Sequence, residues 1–536
     1  MSMTRRAFLR TLAGSTLAGS VPTAVTTAVA GPALAGLTPK SGRPLAGGFA
    51  EDGLAAGHRV RDGGHLAPPG DTRRVPVVIV GGGIAGLSAA WQLDRRGLRD
   101  FVVLELNRQA GGNARWGEND ITAYPWAAHY VPVPGPRATL VRELFEDLGV
   151  MHDGVWEERY LCFAPQERLF LYGEWHEGLE PDVALPAREA AEFRRFAETV
   201  DRFRSTGEFT IPMALGARPS PLDRLSVAEW LSRENFTSPA LRWYVDYACR
   251  DDYGARAGDV SAWAGIHYFA SRQPDDPGPL TWPEGNGWIA RRLIDRLGHR
   301  LVTGAPVHRV ERHGRALRVV TPTVAYLTDA VVFAAPRFLA PRVIEGEEDH
   351  GASDYAYSPW LTANLTLDRR PAERGAPPAW DNVLFDSPAL GYVVANHQSL
   401  RTHEDRWVWT YYWALADGTP PANRELLVRR QWREWTELIL ADLARAHPDI
   451  RDCVSRIDIM RLGHAMIRPT PGFLSSPCRA EMTALRGRLF YAHSDRSGLS
   501  LFEEAQYRGV AAADAALELV GGRRRGEGRG ALPTAG

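Results

Sequence analysis

Apolar and polar positions follow two periods along this chain, and the switches between them mark its elements. The first folded pattern is Val75-Pro76-Val77-Val78-Ile79-Val80, a short apolar run of the kind that forms a strand buried on both faces. A glycine-rich turn and a helical run ending at Gly97 follow, and then a second apolar run, Phe101 to Leu106. Strand, helix and strand in that order predict a βαβ unit in a parallel sheet. Ala187 to Phe203 and Leu426 to Ala446 place apolar residues at helical spacing among charges and predict amphipathic helices. "RWVWTYYWAL" from Arg406 is dense in aromatic and β-branched residues and predicts a strand. Trp407, Trp409, Tyr411 and Trp413 share one face of that strand, which reads either as core or as the wall of an aromatic pocket.

The first residues follow a different pattern. Thr4-Arg5-Arg6-Ala7-Phe8-Leu9-Arg10 fits the twin-arginine export motif, and Leu12 to Val29 adds a weak apolar stretch broken by Gly, Ser, Thr and Pro. A membrane helix needs about 20 predominantly apolar residues, so this stretch reads as a signal segment and not as a span. Ala28-Val29-Ala30 and Ala33-Leu34-Ala35 are both small-x-small cleavage sites. The following Gly-, Pro- and Ala-rich residues read as a linker, and the tail from Gly521 reads as a polar, disordered end.

Composition narrows the chemistry. With 536 residues, 44% hydrophobic and 24% charged, the chain can bury a large core. A formal net charge of −1 gives no reason to expect a nucleic-acid partner, so a small-molecule substrate is the default. Cys162, Cys249, Cys453 and Cys478 form no CxxC pair, which argues against zinc or dithiol chemistry and for buried thiols, although an exported protein can pair two of them. No metal site is expected. Lys40 is the only lysine, so the body of the chain has no lysine amine for catalysis.

The sharpest signal is the glycine turn itself. Gly81-Gly82-Gly83-Ile84-Ala85-Gly86 is GxGxxG between a strand and a helix. Gly81 permits the tight turn, Gly83 lets a backbone approach a pyrophosphate, and Gly86 lets the helix pack on the strand. The N–H groups of the helix start, at Ile84 and Ala85, then face the diphosphate with the positive end of the helix dipole. Glu105 follows Gly86 by nineteen positions at the end of the second strand, where it can accept both ribose hydroxyls. An acid at this place favours NAD or FAD over NADP.

Beyond Glu105 the chain reads Asn107-Arg108-Gln109-Ala110-Gly111-Gly112-Asn113-Ala114-Arg115, and this Glu-x5-Gly-Gly arrangement resembles the flavin-containing amine oxidoreductase superfamily. That superfamily also holds protoporphyrinogen oxidases and phytoene desaturase-like enzymes. "TWPEGNGWIARRL" from Thr281, "GAPVHRVERHGRALRVVT" with Val307, "DAVVFAAPRFLAPRVI" from Asp329 and "GRLFYAHSDRSGLSLFEEAQYRGVAAADAAL" match further family segments in order. The resemblance implies FAD as cofactor, held by Gly81, Gly83, Ile84, Ala85, Gly86, Glu105, Gly112, Asn113 and Arg115. It further implies adenine contact from the strand at Val307, an FAD-chain contact from Asp495, and a helix beginning near Ser500 that faces the flavin pyrimidine. The chain departs from the family at Asn113, where relatives have arginine. It also lacks the lysine beside flavin N5 and, at "GLSLF", the tyrosine of an aromatic cage.

Two candidates remain for the substrate site. Asp246, Asp251 and Asp252 lie close in sequence to Tyr253, Trp263 and His267; Asp252 either binds a cationic amine or acts as a base, or Asp251 and Asp252 cap a solvated helix end or pair with Arg250 and Arg256. His464, in "GHAMIRPTPGF", stands near the place where some relatives attach flavin to a cysteine, and reads either as a proton-moving residue near N5 or as a structural histidine.

The expected architecture is α/β: a Rossmann-like FAD-binding domain with an inserted α+β substrate domain, as in the two-domain amine oxidase-like fold. The expected boundaries are a signal peptide over 1–35, a linker over 36–72, FAD-binding parts over 73–130, 281–344 and 481–520, substrate parts over 131–280 and 345–480, and a disordered tail over 521–536. The expected function is an exported, periplasmic or extracellular FAD-dependent amine oxidase or dehydrogenase. The Tat translocon is its export partner, and oxygen, a quinone or a redox carrier is its electron acceptor. A desaturase or isomerase of an apolar polyene or lipid, and a non-catalytic flavin-fold binding protein, are the alternatives.

Overall fold

In a computed structural model the strand at Val75–Val80 extends back to Asp71 and stands in the middle of a seven-stranded sheet. The structure describes residues 44–527 except 51–52, 63–68, 182, 184, 215–219, 273–276, 348–354, 402, 477–478 and 480–486. The twin-arginine motif and Cys478 therefore lie outside the described residues.

Along this sheet run Leu301–Val302, Phe101–Leu104, Asp71–Val80, Val324–Phe333, Ala316–Val320 and Arg309–His313. The first four run parallel to one another, with Val77 opposite Phe101 on one side and Ala330 on the other. Their residues carry apolar side chains on both faces because helices cover both. Leu489–Tyr491 joins alongside Val331–Phe333, which brings the carboxy-terminal segment against the first strand's neighbour. The helix Ile84–Arg95 and the last helix, Phe502–Glu527, pack together over the sheet. Their contact depends on glycine: a Cβ on Gly509 would lie 2.1 Å from the Ala85 carbonyl oxygen.

The second sheet has eight strands, ordered Ala46–Phe49, Val454–Ile467, Tyr357–Leu367, Trp407–Ala414, Gly391–Val394, Asp381–Leu384, Glu167–Leu171 and Glu174–Glu177. Its strands come from three distant parts of the chain. A helical layer, Ala187–Thr206, Val227–Arg233, Pro239–Tyr253 and Ala262–Ala270, packs around Phe196, Trp230, Phe236 and Trp263. Among the described residues no helix is long and apolar enough to cross a membrane.

Four expectations need correction. The linker at 36–72 is partly ordered: Ala46–Phe49 is a parallel edge strand on Arg456–Ile459, and Leu54–Arg61 is a helix. Such a short strand has no visible period, and only its partner's free edge makes it a strand. The tail beyond Gly521 continues the last helix to Glu527. The expected helix Leu426–Ala446 is two, Pro420–Arg429 and Trp432–Leu443, divided where Gln431 and Glu434 form a capping box. Val307 lies in the loop between Leu301–Val302 and Arg309–His313 and not on a strand.

Cys162, Cys249 and Cys453 are buried free thiols. Burial pushes the thiols of Cys162 and Cys249 well up, which keeps both unreactive.

Candidate functional site

The glycine turn takes the shape its spacing predicts. Gly81 has φ +106°, a conformation that favours glycine, and Gly86 must lack a Cβ because one would sit 1.9 Å from the Gly81 carbonyl oxygen. Gly83 caps the helix in extended backbone, and a Cβ there would meet only Gly112 Cα, at 3.8 Å. Gly81, Gly83 and Ile84 stay partly exposed, while Gly82 and Ala85 are buried. The backbone is thus open on the side where a diphosphate would approach the helix N-terminus.

Glu105 is buried beneath this loop. Its Oε2 accepts from Gly82 N at 2.8 Å, and its Oε1 accepts from Asn107 N at 2.8 Å and Asn107 Nδ2 at 3.0 Å. The carboxylate braces the loop from within and keeps lone pairs for a ribose. The Gly-Gly segment lies alongside: Gly111 N donates to Gly82 O at 2.7 Å, and Gly83 and Gly111 form an isolated parallel bridge. Arg115 turns inward, with Nε donating to Gly112 O at 3.1 Å, whereas Asn113 is exposed and donates from Nδ2 to Ala465 O at 2.7 Å. Asn113 therefore ties the nucleotide loop to the second sheet, where an arginine would extend further.

The carboxy-terminal half is built differently. Asp495 is buried; its Oδ2 accepts from Arg337 N at 2.9 Å and from Tyr357 Oη at 2.6 Å, and His493 Nδ1 stands 2.9 Å from Oδ1. Burial pushes this carboxyl up, but His493, the Arg337 N–H and the Tyr357 hydroxyl outweigh it and hold it below the usual range. The carboxylate expected to meet the FAD chain is thus held by protein donors through Oδ2. Ser500 accepts from Ile467 N at 3.0 Å through Oγ, two residues before the last helix begins at Phe502.

The first turns of that helix carry charges. Glu504 accepts from Met213 N at 2.5 Å and from Arg508 Nη2 at 2.8 Å, and Glu503 pairs with Arg272. All four side chains are buried. Burial raises the Glu504 carboxyl despite Arg508 and Met213 N. Sequence reasoning missed these pairs; two adjacent glutamates with an arginine four residues after Glu504 were the available signal.

His464 stacks on Phe338 at 4.2 Å and meets the Tyr357 ring at 5.9 Å. Desolvation of the stacked face, with Arg424 and His58 nearby, lowers its pKa to about 4, although the residue as a whole is open to solvent. The direction follows from the stacking and the cations, and the imidazole is neutral at pH 7. Asp252 lies buried in the last turn of Pro239–Tyr253. Asp246 meets Arg250 at 3.2 Å and Arg256 at 2.8 Å and accepts from Ala257 N. The next carbonyl along from Asp252, Tyr253 O, accepts from Ser358 Oγ at 3.0 Å. Asp252 and His464 thus both come to the start of the strand Tyr357–Leu367.

The aromatic strand packs on both faces. Trp409 and Tyr411 are core beneath Trp435 and Ile439, so the stripe the sequence singled out is not a pocket wall. The opposite face carries Tyr412, which packs with Trp126, Trp360, Trp380, Met460 and Leu462. Tyr412 lies 4.9 Å from His129 and donates to the buried Asp381 at 2.8 Å. Thr362 donates to Trp126 O at 2.5 Å, and Asn364 to Pro125 O at 3.0 Å, fixing the loop after the Gly-Gly segment to this face. Among the described residues no group of histidine, cysteine and carboxylate side chains is arranged to hold a metal.

Comparisons place this geometry. Residues 79–148 match the NAD(P)-binding Rossmann-like domain. The chain is similar to a protein named as a flavin-containing monoamine oxidase, AofH, in Mycobacterium tuberculosis, at 25% identity over 284 residues. That alignment takes 49% of this chain and 57% of the relative, so the chain spans little more than half the length of the curated relative it matches. Among solved structures it superposes on putrescine oxidase bound to putrescine with a TM-score of 0.64 at 16% identity, over 83% of this chain and all of the other. It superposes on a fatty acid isomerase from P. acnes with a TM-score of 0.61 at 15% identity, over 82% and 98%. The fold class is therefore that of the two-domain amine oxidases: a Rossmann-like dinucleotide domain carrying a second, sheet-based domain.

Proposed function

We propose that the chain is an FAD-dependent oxidoreductase that removes hydride from a substrate C–H bond, with an amine as the favoured substrate. The observation that carries this reading is the open cradle at Gly81, Gly83 and Ile84, braced by buried Glu105 and flanked by Gly111 and Gly112, within a fold of amine oxidase type. Bound there, FAD supplies the hydride acceptor. The chain's own residues do the rest. The N–H groups of the helix start meet the diphosphate, and Glu105 accepts from the ribose. The face of Trp126, Trp360, Trp380 and Tyr412 excludes water from an apolar substrate part. Neutral His464 accepts a proton at the edge of the second sheet, and buried Asp252 supplies the negative charge an ammonium group needs.

A second reading, a desaturase or isomerase of an apolar polyene or lipid, is favoured by that same aromatic and apolar face and by the absence of lysine after Lys40. Purified protein is expected to be yellow and to bleach when mixed anaerobically with one member of a panel of polyamines, aromatic amines and apolar alkenes. Bleaching by alkenes alone selects the second reading. Colourless protein that takes up no FAD defeats both and leaves a non-catalytic flavin-fold binder.

Export through the twin-arginine route belongs to this proposal, because FAD is inserted into folded protein before translocation. Reoxidation then falls to oxygen, a quinone or an exported carrier. Arg5→Lys with Arg6→Lys is expected to strand the protein in the cytoplasm, and unchanged periplasmic activity would remove this part.

A further inference from the structure

The amino-terminal residues touch both sheets. Ala46–Phe49 pairs in parallel with Arg456–Ile459, Ala50 N donates to Ile459 O at 2.8 Å, and the Arg461 guanidinium lies 4.1 Å from the centre of the Phe49 ring. The fit to the second sheet is close: Gly47 has φ +127°, and a Cβ on it would lie 1.8 Å from Ile457 O. By Gly53, with φ +74°, the chain stands at the first sheet, where a Cβ would lie 2.0 Å from Asn107 Oδ1 and 3.2 Å from the Leu106 side chain. The helix Leu54–Arg61 that starts there packs on the short helix Ala340–Val343, which follows the strand Val324–Phe333. Its buried Val60 joins the apolar cluster of Val80, Leu104, Val307 and Val343, and its His58 stands close to His464.

These contacts fix where the helix lies. Phe101–Leu104 and Val324–Phe333 flank Asp71–Val80 in the sheet, and all three strands are parallel. A helix that begins against the residues after one flanking strand, and packs on the helix after the other, crosses the carboxyl end of the strand between them. That end is Val80, where the glycine turn begins. In open parallel sheets a ligand binds in the crevice outside the carboxyl ends of the strands. Asn107, against which Gly53 fits, is also the residue that donates twice to Glu105. The hold is light. Only Val60 of the eight helical residues is buried, Arg59 and Arg61 are exposed, and Gly57 at the centre weakens a helix already too short to stand alone. A segment with so few buried contacts opens without unfolding the rest.

We propose that Ala46–Ala50 and Gly53–Arg61 form a strap that closes the dinucleotide crevice once FAD has entered and sets the rate at which FAD leaves. This rests on the FAD reading above and adds a wall of the site that the glycine fingerprint does not contain. The strand anchors the strap on the second sheet, and the helix covers the crevice. With Gly53 seated, the Asn107 side chain is confined against Glu105, so lifting the strap also loosens the acid that accepts from the ribose.

FAD release from the full-length holoprotein, followed by the rise of flavin fluorescence on dilution, tests this. Gly47→Ala lies in the second sheet, away from every FAD-binding residue named above, and Val60→Asp puts a charge into the apolar cluster. Each is expected to speed release about tenfold, since most of a change in affinity appears in the dissociation rate. Val200→Ala, a fully buried truncation in the helical layer, controls for general loosening and is expected to change the rate less than about twofold. Bound FAD is expected to slow tryptic cleavage after Arg59 and Arg61 about tenfold in the unmodified protein, because cleavage follows the opened population, and to give no such protection in Val60→Asp. Should Val60→Asp fail to fold, Gly47→Ala decides the matter. Unchanged release in both strap variants, release equally fast in Val200→Ala, or cleavage indifferent to FAD overturns the strap and leaves the FAD reading standing. Protein that takes up no FAD overturns both.

Discussion

Two segments that leave strands of the first sheet are built by opposite means. At Gly81–Gly86 the structure is made by leaving side chains out, so that backbone N–H groups and a helix end stand open. At Asp495–Arg508 it is made by putting charges in, and each buried carboxylate is met by a donor from elsewhere: Arg337 and Tyr357 for Asp495, Arg272 for Glu503, Met213 and Arg508 for Glu504. The first segment depends on shape and tolerates only the removal of atoms. The second depends on charge balance, and one missing partner leaves an ion in a low dielectric.

That contrast predicts a ranking of substitutions. Arg508→Met should be the most damaging, at about 3–5 kcal/mol in urea unfolding, because Glu504 stays buried without its cation. Adding Glu504→Leu should recover most of that loss, and no recovery would mean that Arg508 acts through packing instead.

Gly86→Ala comes next. Its Cβ would meet the Gly81 carbonyl at 1.9 Å, with a cost of about 3 kcal/mol, the upper part of the range for overpacking. Gly83→Ala, with nothing nearer than 3.8 Å, should change stability by no more than about 0.5 kcal/mol yet release flavin on dialysis. Equal destabilisation by the two variants would erase the distinction between packing and ligand-facing glycines.

Tyr357→Phe should cost about 1–2 kcal/mol by removing one buried hydrogen bond to Asp495. The sign of its pH dependence is fixed. The folded pKa of Asp495 is lowered, so its stabilisation is full above the unfolded value of about 3.9 and is lost as pH falls through the lower folded value. Loss of the Tyr357 hydroxyl raises the folded value and moves the acid limb of a Tm-against-pH curve to higher pH.

The smallest effect belongs to His464→Gln. A histidine lowered to about 4 weakens the fold as pH drops from the unfolded value of about 6.5 toward 4, since the unfolded chain takes up the proton first. Solvent on the open side of the ring screens this to below about 1 kcal/mol. The variant should flatten the Tm curve between those pH values and leave it unchanged above pH 7.

The amino-terminal half was legible because all of its determinants are local. Strand, glycine spacing, helix and Glu105 lie within 35 residues, and Gly81 and Gly86 were assigned roles their surroundings require. The carboxy-terminal half was legible only as an outline. Asp495 stood out as an acid after a strand, but its partners come from residues 337, 357 and 493, and no spacing rule connects them. The aromatic strand teaches the same lesson. Its alternation was visible from Trp407 to Trp413, yet what each face packs on depended on the helix at Trp432–Leu443 on one side and on Trp126 and Trp380 on the other.

What the sequence determined by itself is the βαβ unit, its open glycine loop and its acid, because backbone conformation and strand burial are decided by neighbours a few residues apart. What only the tertiary structure decided is the edge strand at Ala46–Phe49 and the ion pairs beneath the last helix. Those depend on which free edge or unpaired charge each segment meets once distant parts of the chain are packed together. That choice is made by the low dielectric and close packing of the interior and leaves no period in the chain.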